Sequence, residues 1–203
     1  MGALYWLTVD RSALPDTTGV ATEQAQDQLV ATRRSWSPTQ VLDDYETVSA
    51  KALDALGHLE TLEVEIPLGD LGTYPAWLLA NAYAFDHYTH IRADLFAPRG
   101  PLTGSPPPSD ELRLVPTIEW IVAAAAQQNE RLVADLGGAV AVEVVGPAAR
   151  RFTIGDGAVV ATVTCGAHDL VLWSTQRASW DELDVTATGQ PDAVAAARQL
   201  HVF

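Results

Sequence analysis

Five prolines fall within eleven residues, at Pro98, Pro101, Pro106, Pro107 and Pro108. Proline fixes φ and lacks a backbone donor, so no unbroken helix or central strand can cross this stretch. The chain must therefore organise itself on either side of a stiff, polar break, Pro101-Leu102-Thr103-Gly104-Ser105-Pro106-Pro107-Pro108-Ser109. The patterning also changes across it. Helical spacing dominates before the break, and helices mix with short β-rich runs after it. The expected class is α+β, with a helical domain over 1–104, a Pro-rich linker over 105–115 and a small α+β domain over 116–203.

In the first half, the stretch 22–34 can be helical. Ser37-Pro38-Thr39-Gln40 is a helix start, with Ser37 as cap, Pro38 in the first turn and Gln40 closing a capping box. Val41, Leu42, Tyr45, Val48, Ala52, Leu53 and Leu56 follow at helical spacing, and Gly57 is the expected stop. Residues 61–74 read as a loop or short extended piece. A second helix is expected from about Pro75 to Leu95, with Trp77, Leu78, Ala82, Phe85, Thr89 and Leu95 facing a core.

Beyond the break, 117–136 reads as a helix closed by Gly137-Gly138, and 140–145 as a strand. The runs 151–154 and 159–164 flank Gly155-Asp156-Gly157, which predicts a hairpin. A helix over 167–175, a short strand over 183–186 and a last helix over 191–200 complete the pattern. Trp120, Trp173 and Trp180 are expected to pack, and Cys165, inside a strand-like run, to act as a small apolar residue.

Charge and cysteine usage narrow the function. The chain has 26 acidic and 12 basic side chains, a formal net charge of −14. Such a chain repels phosphate backbones, and no basic patch offsets this, so nucleic acid is not an expected partner. The one cysteine cannot form an intrachain disulfide, which suits a reducing cytoplasm. The N-terminal residues lack the basic start of a signal peptide. No apolar run reaches the roughly 20 residues needed to span a bilayer, so no membrane association is expected.

One cluster can carry chemistry. Phe85-Asp86-His87-Tyr88-Thr89-His90-Ile91-Arg92-Ala93-Asp94 holds two of the five histidines. On a helix Asp86 and His90 share a face, and Asp94 lies one turn beyond. A carboxylate and an imidazole one turn apart can bind one divalent metal, zinc above all, although a catalytic zinc normally has three protein ligands. The same pair also reads as a solvated or hydrogen-bonded surface pair. His168, opening a helix beside Asp169, reads as a capping or solvated residue. His201, near the end, reads as exposed.

The helix from Trp77 to Asp94 with the following Leu95-Phe96-Ala97-Pro98-Arg99-Gly100 resembles the metal-ligand helix of mycothiol-dependent maleylpyruvate isomerases. The run Ala161 to Arg177, with Asp169-Leu170-Val171-Leu172-Trp173 at its centre, is similar to that family's second domain, as is Val185 to Gln190. The resemblance covers roughly 36–203. It implies a DinB-like four-helix metal-binding domain and a C-terminal α+β domain. It maps the family's acid-x3-histidine ligands onto Asp86 and His90, with Asp where the family more often has Glu. Gln176 stands where the family usually has Gly, and Gln190 departs from its Gly-Asp turn. The helix ending in the family's first histidine ligand has no counterpart, so the resemblance implies an N-terminally truncated member, with His58 as the substitute candidate ligand. An incomplete bundle exposes an apolar face that a second copy would cover, so a homodimer is expected.

The implied chemistry uses zinc and mycothiol as thiol cosubstrate. The metal lowers the thiol's pKa, and the thiolate adds to a small electrophile for cis-trans isomerisation or S-transfer. Arg177 is the position expected to clamp a substrate carboxylate with its bidentate fork; its alternative reading is a helix C-terminal cation. The alternative for the whole chain is a non-catalytic binding or regulatory relative that has lost the metal site.

Overall fold

The computed structural model describes residues 22–203, and the readings on earlier residues lie outside them. The described residues divide into two compact units, the first ending at Ala80 and the second running from Asn81 to Phe203. Among the described residues there are seven α-helices and two small sheets, an α+β protein. None of these helices is long and apolar enough to cross a membrane.

In the first unit, α1 (Thr22–Ala31) is tied to α2 (Pro38–Leu59) by Arg33, whose Nε donates to Asp44 Oδ2 at 3.0 Å. The predicted capping box at Ser37 and Gln40 is present. Gly57 does not stop α2, which runs on to Leu59. Gly57 has nothing within 4 Å of where a Cβ would sit; a single exposed glycine costs a helix only about 1 kcal/mol. Of α2's predicted apolar face only Val48 is buried. The stretch 61–74 contains most of a small hairpin, β1 (Glu65–Pro67) against β2 (Thr73–Pro75).

The expected single helix 75–95 is divided. Tyr74 precedes a proline and so favours extended backbone, and Pro75 closes β2. A 3-10 turn over Ala76–Leu78 leads into α3 (Leu79–Thr89). The helix then widens into a π-helical turn over His90–Leu95. Phe85 and Thr89 are buried as predicted, whereas Trp77 and Leu95 are exposed.

The second unit contains α4 (Glu111–Gln127), capped by Asp110, whose side chain accepts from the Arg113 N–H at 3.2 Å. The predicted helix 117–136 thus starts six residues earlier and breaks at Asn129, before α5 (Glu130–Asp135). Asn129 turns its amide to the C-terminal tail. It donates to Ala125 O at 2.8 Å and His201 O at 2.6 Å and accepts from His201 N at 3.1 Å.

The larger sheet contains β3 (Ala139–Val145), β4 (Arg150–Ile154), β5 (Val159–Gly166) and β6 (Val185–Gly189) in the order β4-β3-β5-β6. The predicted hairpin around Gly155-Asp156-Gly157 does not exist. β4 pairs antiparallel with β3, and β5 crosses to β3's other edge and pairs parallel. Gly155 and Gly157 do supply the positive-φ turn, but it ends one edge strand and begins an inner one. β3 is central, which explains its unbroken run Ala139-Val140-Ala141-Val142. β5 alternates, burying Ala161, Val163 and Cys165. At β6, Gly189 has φ 123° and approaches β5 so closely that a Cβ would lie 2.3 Å from Val160 O. Helices α6 (Ala167–Ser174) and α7 (Pro191–Ala197) follow β5 and β6. Trp120, Trp173, Ile118, Ile121, Leu170 and Val171 fill the core with the strands.

Candidate functional site

Asp86, His90 and Asp94 line up on one face of α3 and its π-helical extension. His90 stands between the two carboxylates. Its Nδ1 lies 2.6 Å from Asp94 Oδ2 and its Nε2 lies 3.3 Å from Asp86 Oδ1. The site is open: the side chains of His90 and Asp86 are 54% and 42% exposed. π-helical turns often mark functional positions, and this one begins at His90.

Arg177, 83 residues further along, closes the cluster. It follows α6 by three residues, after Gln176 at φ 56° has reversed the chain. Gln176 Nε2 donates to Trp173 O and Leu200 O, which holds this left-handed turn in place. Arg177 Nε donates to Asp94 Oδ1 at 2.9 Å and Nη2 to Asp94 Oδ2 at 2.5 Å, a bidentate pair. Nη2 also comes within 3.5 Å of His90 Nδ1. Both nitrogens donate to the same Asp94 oxygen, so that approach reflects a shared acceptor.

The protonation pattern follows from these contacts. The hydrogen bond to Arg177 holds Asp94 below the usual carboxylate range, against a smaller effect of burial, with His90 adding to it. Burial alone would raise Asp86, but the hydrogen bond with His90 and nearby positive charge outweigh it, and the group stays below its ordinary value. The bond to Asp86 is the largest influence on His90 and raises it, with Asp94 helping and burial and Arg177 opposing. Two carboxylates thus favour a proton on His90.

With Nδ1–H committed to Asp94, the Nε2 lone pair faces Asp86. Two ligands about 2.0–2.1 Å from a tetrahedral zinc stand about 3.3–3.4 Å apart, which is the separation of His90 Nε2 and Asp86 Oδ1. A carboxylate on the remote nitrogen of a ligating histidine is the usual supporting contact. The separation is compatible with one edge of a tetrahedral site, and equally with the ion pair that His90 and Asp86 form without a metal. Among the described residues, no group of three or more His, Cys, Asp or Glu side chains is arranged to hold a metal. His87 turns to the backbone, with Nδ1 3.0 Å from Tyr83 O. His58 belongs to the first unit, where its Nδ1 lies 2.8 Å from Asp54 O of its own helix.

A second polar cluster occupies the opposite face of the same helix. Tyr88 is buried. Its hydroxyl lies 2.8 Å from Ser109 Oγ and 3.0 Å from His168 Nδ1. The Arg92 guanidinium stacks 3.8 Å over the Tyr88 ring and donates to Pro107 O and Pro108 O. Burial pushes Tyr88 up and His168 down, so both stay neutral. His168 is therefore an inter-element contact rather than a solvated cap. Sequence reasoning passed over Tyr88 and Arg92 as functional residues; their four-residue spacing, an aromatic below a cation, was the available signal. It also missed Asp94 as the partner of Arg177, a pairing that only the fold creates. His201 is half-buried, its ring against Phe203 at 5.3 Å. Cys165 is buried, and desolvation with Asp169 nearby pushes its thiol up to about 12, so it is not a nucleophile.

Comparison with protein-family models, curated proteins and solved structures found no match to this chain.

Proposed function

We propose that the chain is a member of the mycothiol-dependent maleylpyruvate isomerase family, built on a DinB-like helical bundle and a C-terminal α+β part. It would carry out metal-assisted addition of a thiol to a small electrophile, by cis-trans isomerisation or S-transfer. One observation carries this reading. The two segments that resemble the family, 77–100 and 161–177, meet at a single cluster of Asp86, His90, Asp94 and Arg177.

A zinc at this site would supply Lewis acidity that keeps a bound thiol deprotonated at neutral pH. The residues of the chain do the rest. Asp86 and His90 Nε2 offer the donor pair. Asp94 holds the Nδ1 proton and so fixes the imidazole tautomer and orientation. Arg177 holds Asp94 and, in this resting arrangement, has its fork closed. A substrate carboxylate would be clamped by Arg177 in exchange for Asp94, or by Nη1, which makes only a 3.4 Å contact with Thr175 O.

The test is purification without added metal, followed by zinc analysis and an assay of mycothiol-dependent maleylpyruvate isomerisation. The expected result is close to one zinc per chain, lost together with turnover in His90→Ala. Zinc below about a tenth of the protein concentration, with no thiol-dependent turnover, overturns the proposal. A second reading, a non-catalytic binding or regulatory relative, is favoured by the want of a third ligand among the described residues. It predicts that Asp86→Ala with His90→Ala leaves the chain's binding behaviour intact; mycothiol-dependent turnover by the wild-type chain excludes it.

A further inference from the structure

Tyr88 sits two residues before His90, so the helix turns it about 200° away from the Asp86–His90 face. It cannot touch a ligand held there. It is 3% exposed, and both partners of its hydroxyl come from other elements: Ser109 from the segment before α4, and His168 from the first turn of α6. Six residues after Tyr88 comes Asp94. Six residues after His168 comes Ser174, the end of α6, and three more reach Arg177. At 1.5 Å per residue the six α-helical residues from His168 to Ser174 advance about 9 Å, and the span from Tyr88 to Asp94, mostly within the wider π-helical turn, somewhat less. Helix α6 is thus fastened to α3 and its π-helical extension at two places, by His168 on Tyr88 and by Arg177 on Asp94.

We propose that Tyr88 is a positioning residue: through His168 it fixes α6 so that Arg177 closes on Asp94, which in turn orients His90. Arg92 supports Tyr88 from its ring face. Arg92 is 8% exposed as a residue, and its guanidinium stacks on the ring and binds the Pro107 and Pro108 carbonyls. That keeps Ser109 beside the Tyr88 hydroxyl and holds the hydroxyl towards His168. A longer, flexible arginine alone would sample many distances to Asp94; a helix held at its other end restricts them. The consequence for metal binding rests on the function proposed above, while the contact itself does not.

The experiment follows solvent exchange of the Arg177 Nε–H by nitrogen-15 NMR. In the wild type this proton donates to Asp94, and slow exchange is the expected result. Tyr88→Phe keeps the ring, its burial and the Arg92 stack and removes only the hydroxyl. Exchange is expected to accelerate about tenfold. His168→Asn, whose amide keeps both a donor and an acceptor near the Nδ1 position, is expected to stay within about twofold of wild type. Val142→Ala, a destabilising change in the central strand, serves as control and is expected to leave the exchange unchanged. If Tyr88→Phe does not fold, His168→Ala carries the same tenfold expectation. Exchange within twofold of wild type in the hydroxyl-deleted protein, or equal acceleration in the Val142→Ala control, overturns the proposal. Zinc affinity is read separately, with an expected loss of about tenfold in Tyr88→Phe. A wild-type chain that binds no zinc overturns the metal reading and leaves the exchange result to decide this one.

Discussion

Asp86→Asn isolates the charge that holds a cation on His90. Asparagine keeps the size and an acceptor oxygen, so the change removes charge and little else. At the observed 3.3 Å Coulomb attraction is about 1.3 kcal/mol in a water-like dielectric and several-fold larger in a drier one. The two side chains are 54% and 42% exposed, so the water-like limit applies, and side-chain ordering lowers the net to about 0.5–1 kcal/mol. The sign follows from the raised pKa of His90, of which the bond to Asp86 is the largest cause. Stability from a group whose folded value is raised is fully present below its unfolded value, about 6.5. It is lost as pH rises through the higher folded value. Asp86→Asn should therefore cost about 0.5–1 kcal/mol at about pH 5.5 and nearly nothing at about pH 8.5. Urea unfolding in EDTA at both pH values measures this, and proton NMR of the His90 ring should show its titration moving down. A penalty equal at the two pH values, or larger at the higher one, would refute the reasoning.

Three further outcomes are expected. Asn129→Ala leaves the His201 N–H, the His201 carbonyl and Ala125 O without their side-chain partner; about 2–3 kcal/mol of stability should be lost in urea unfolding. Cys165 should not react with a disulfide reagent in the folded protein at neutral pH, since its thiol is buried and pushed up to about 12, and should react fully once unfolded; fast labelling of the native protein would contradict the assigned burial. Gly100→Ala would set a Cβ 2.1 Å from Leu95 C and 2.4 Å from Asp94 O, so the backbone carrying Asp94 must shift. The expected cost exceeds about 1 kcal/mol, together with weaker protection of the Arg177 Nε–H, read by NMR.

What could be seen in the sequence was local. The capping box at Ser37 and the helical spacing in α3 and α6 depend on neighbours within four residues, and each emerged in the fold. The i,i+4 relation of Asp86, His90 and Asp94 was legible for the same reason. Long-range pairing was not. Gly155-Asp156-Gly157 has the composition of a hairpin turn whether or not its flanking strands pair, and nothing nearby reveals that β3 will take the place between them. The break of the predicted helix 117–136 depends on Asn129 meeting His201, 72 residues later. Arg177 shows the same limit at the site. Its residue type suggested an anion partner, and it has one, but that partner belongs to the chain itself.

That partnership makes a charge count possible. With His90 neutral, Asp86, Asp94 and Arg177 sum to −1. A proton on His90 brings the cluster to zero, which is why both carboxylates favour it. A dication together with one thiolate would also bring it to zero, whereas a dication alone would leave +1. On the proposed function, this count would favour a metal that brings an anionic ligand, of which a thiolate is one, over a bare dication. The same arithmetic assigns Asp94 a fixed role. Were Asp94 neutralised, Arg177 would stand as an uncompensated cation beside His90, opposing both the proton and the metal at Nε2. The salt bridge across 83 residues therefore offsets the Arg177 charge beside His90, adding to the larger influence of Asp86, and ties that balance to the segment that follows α6.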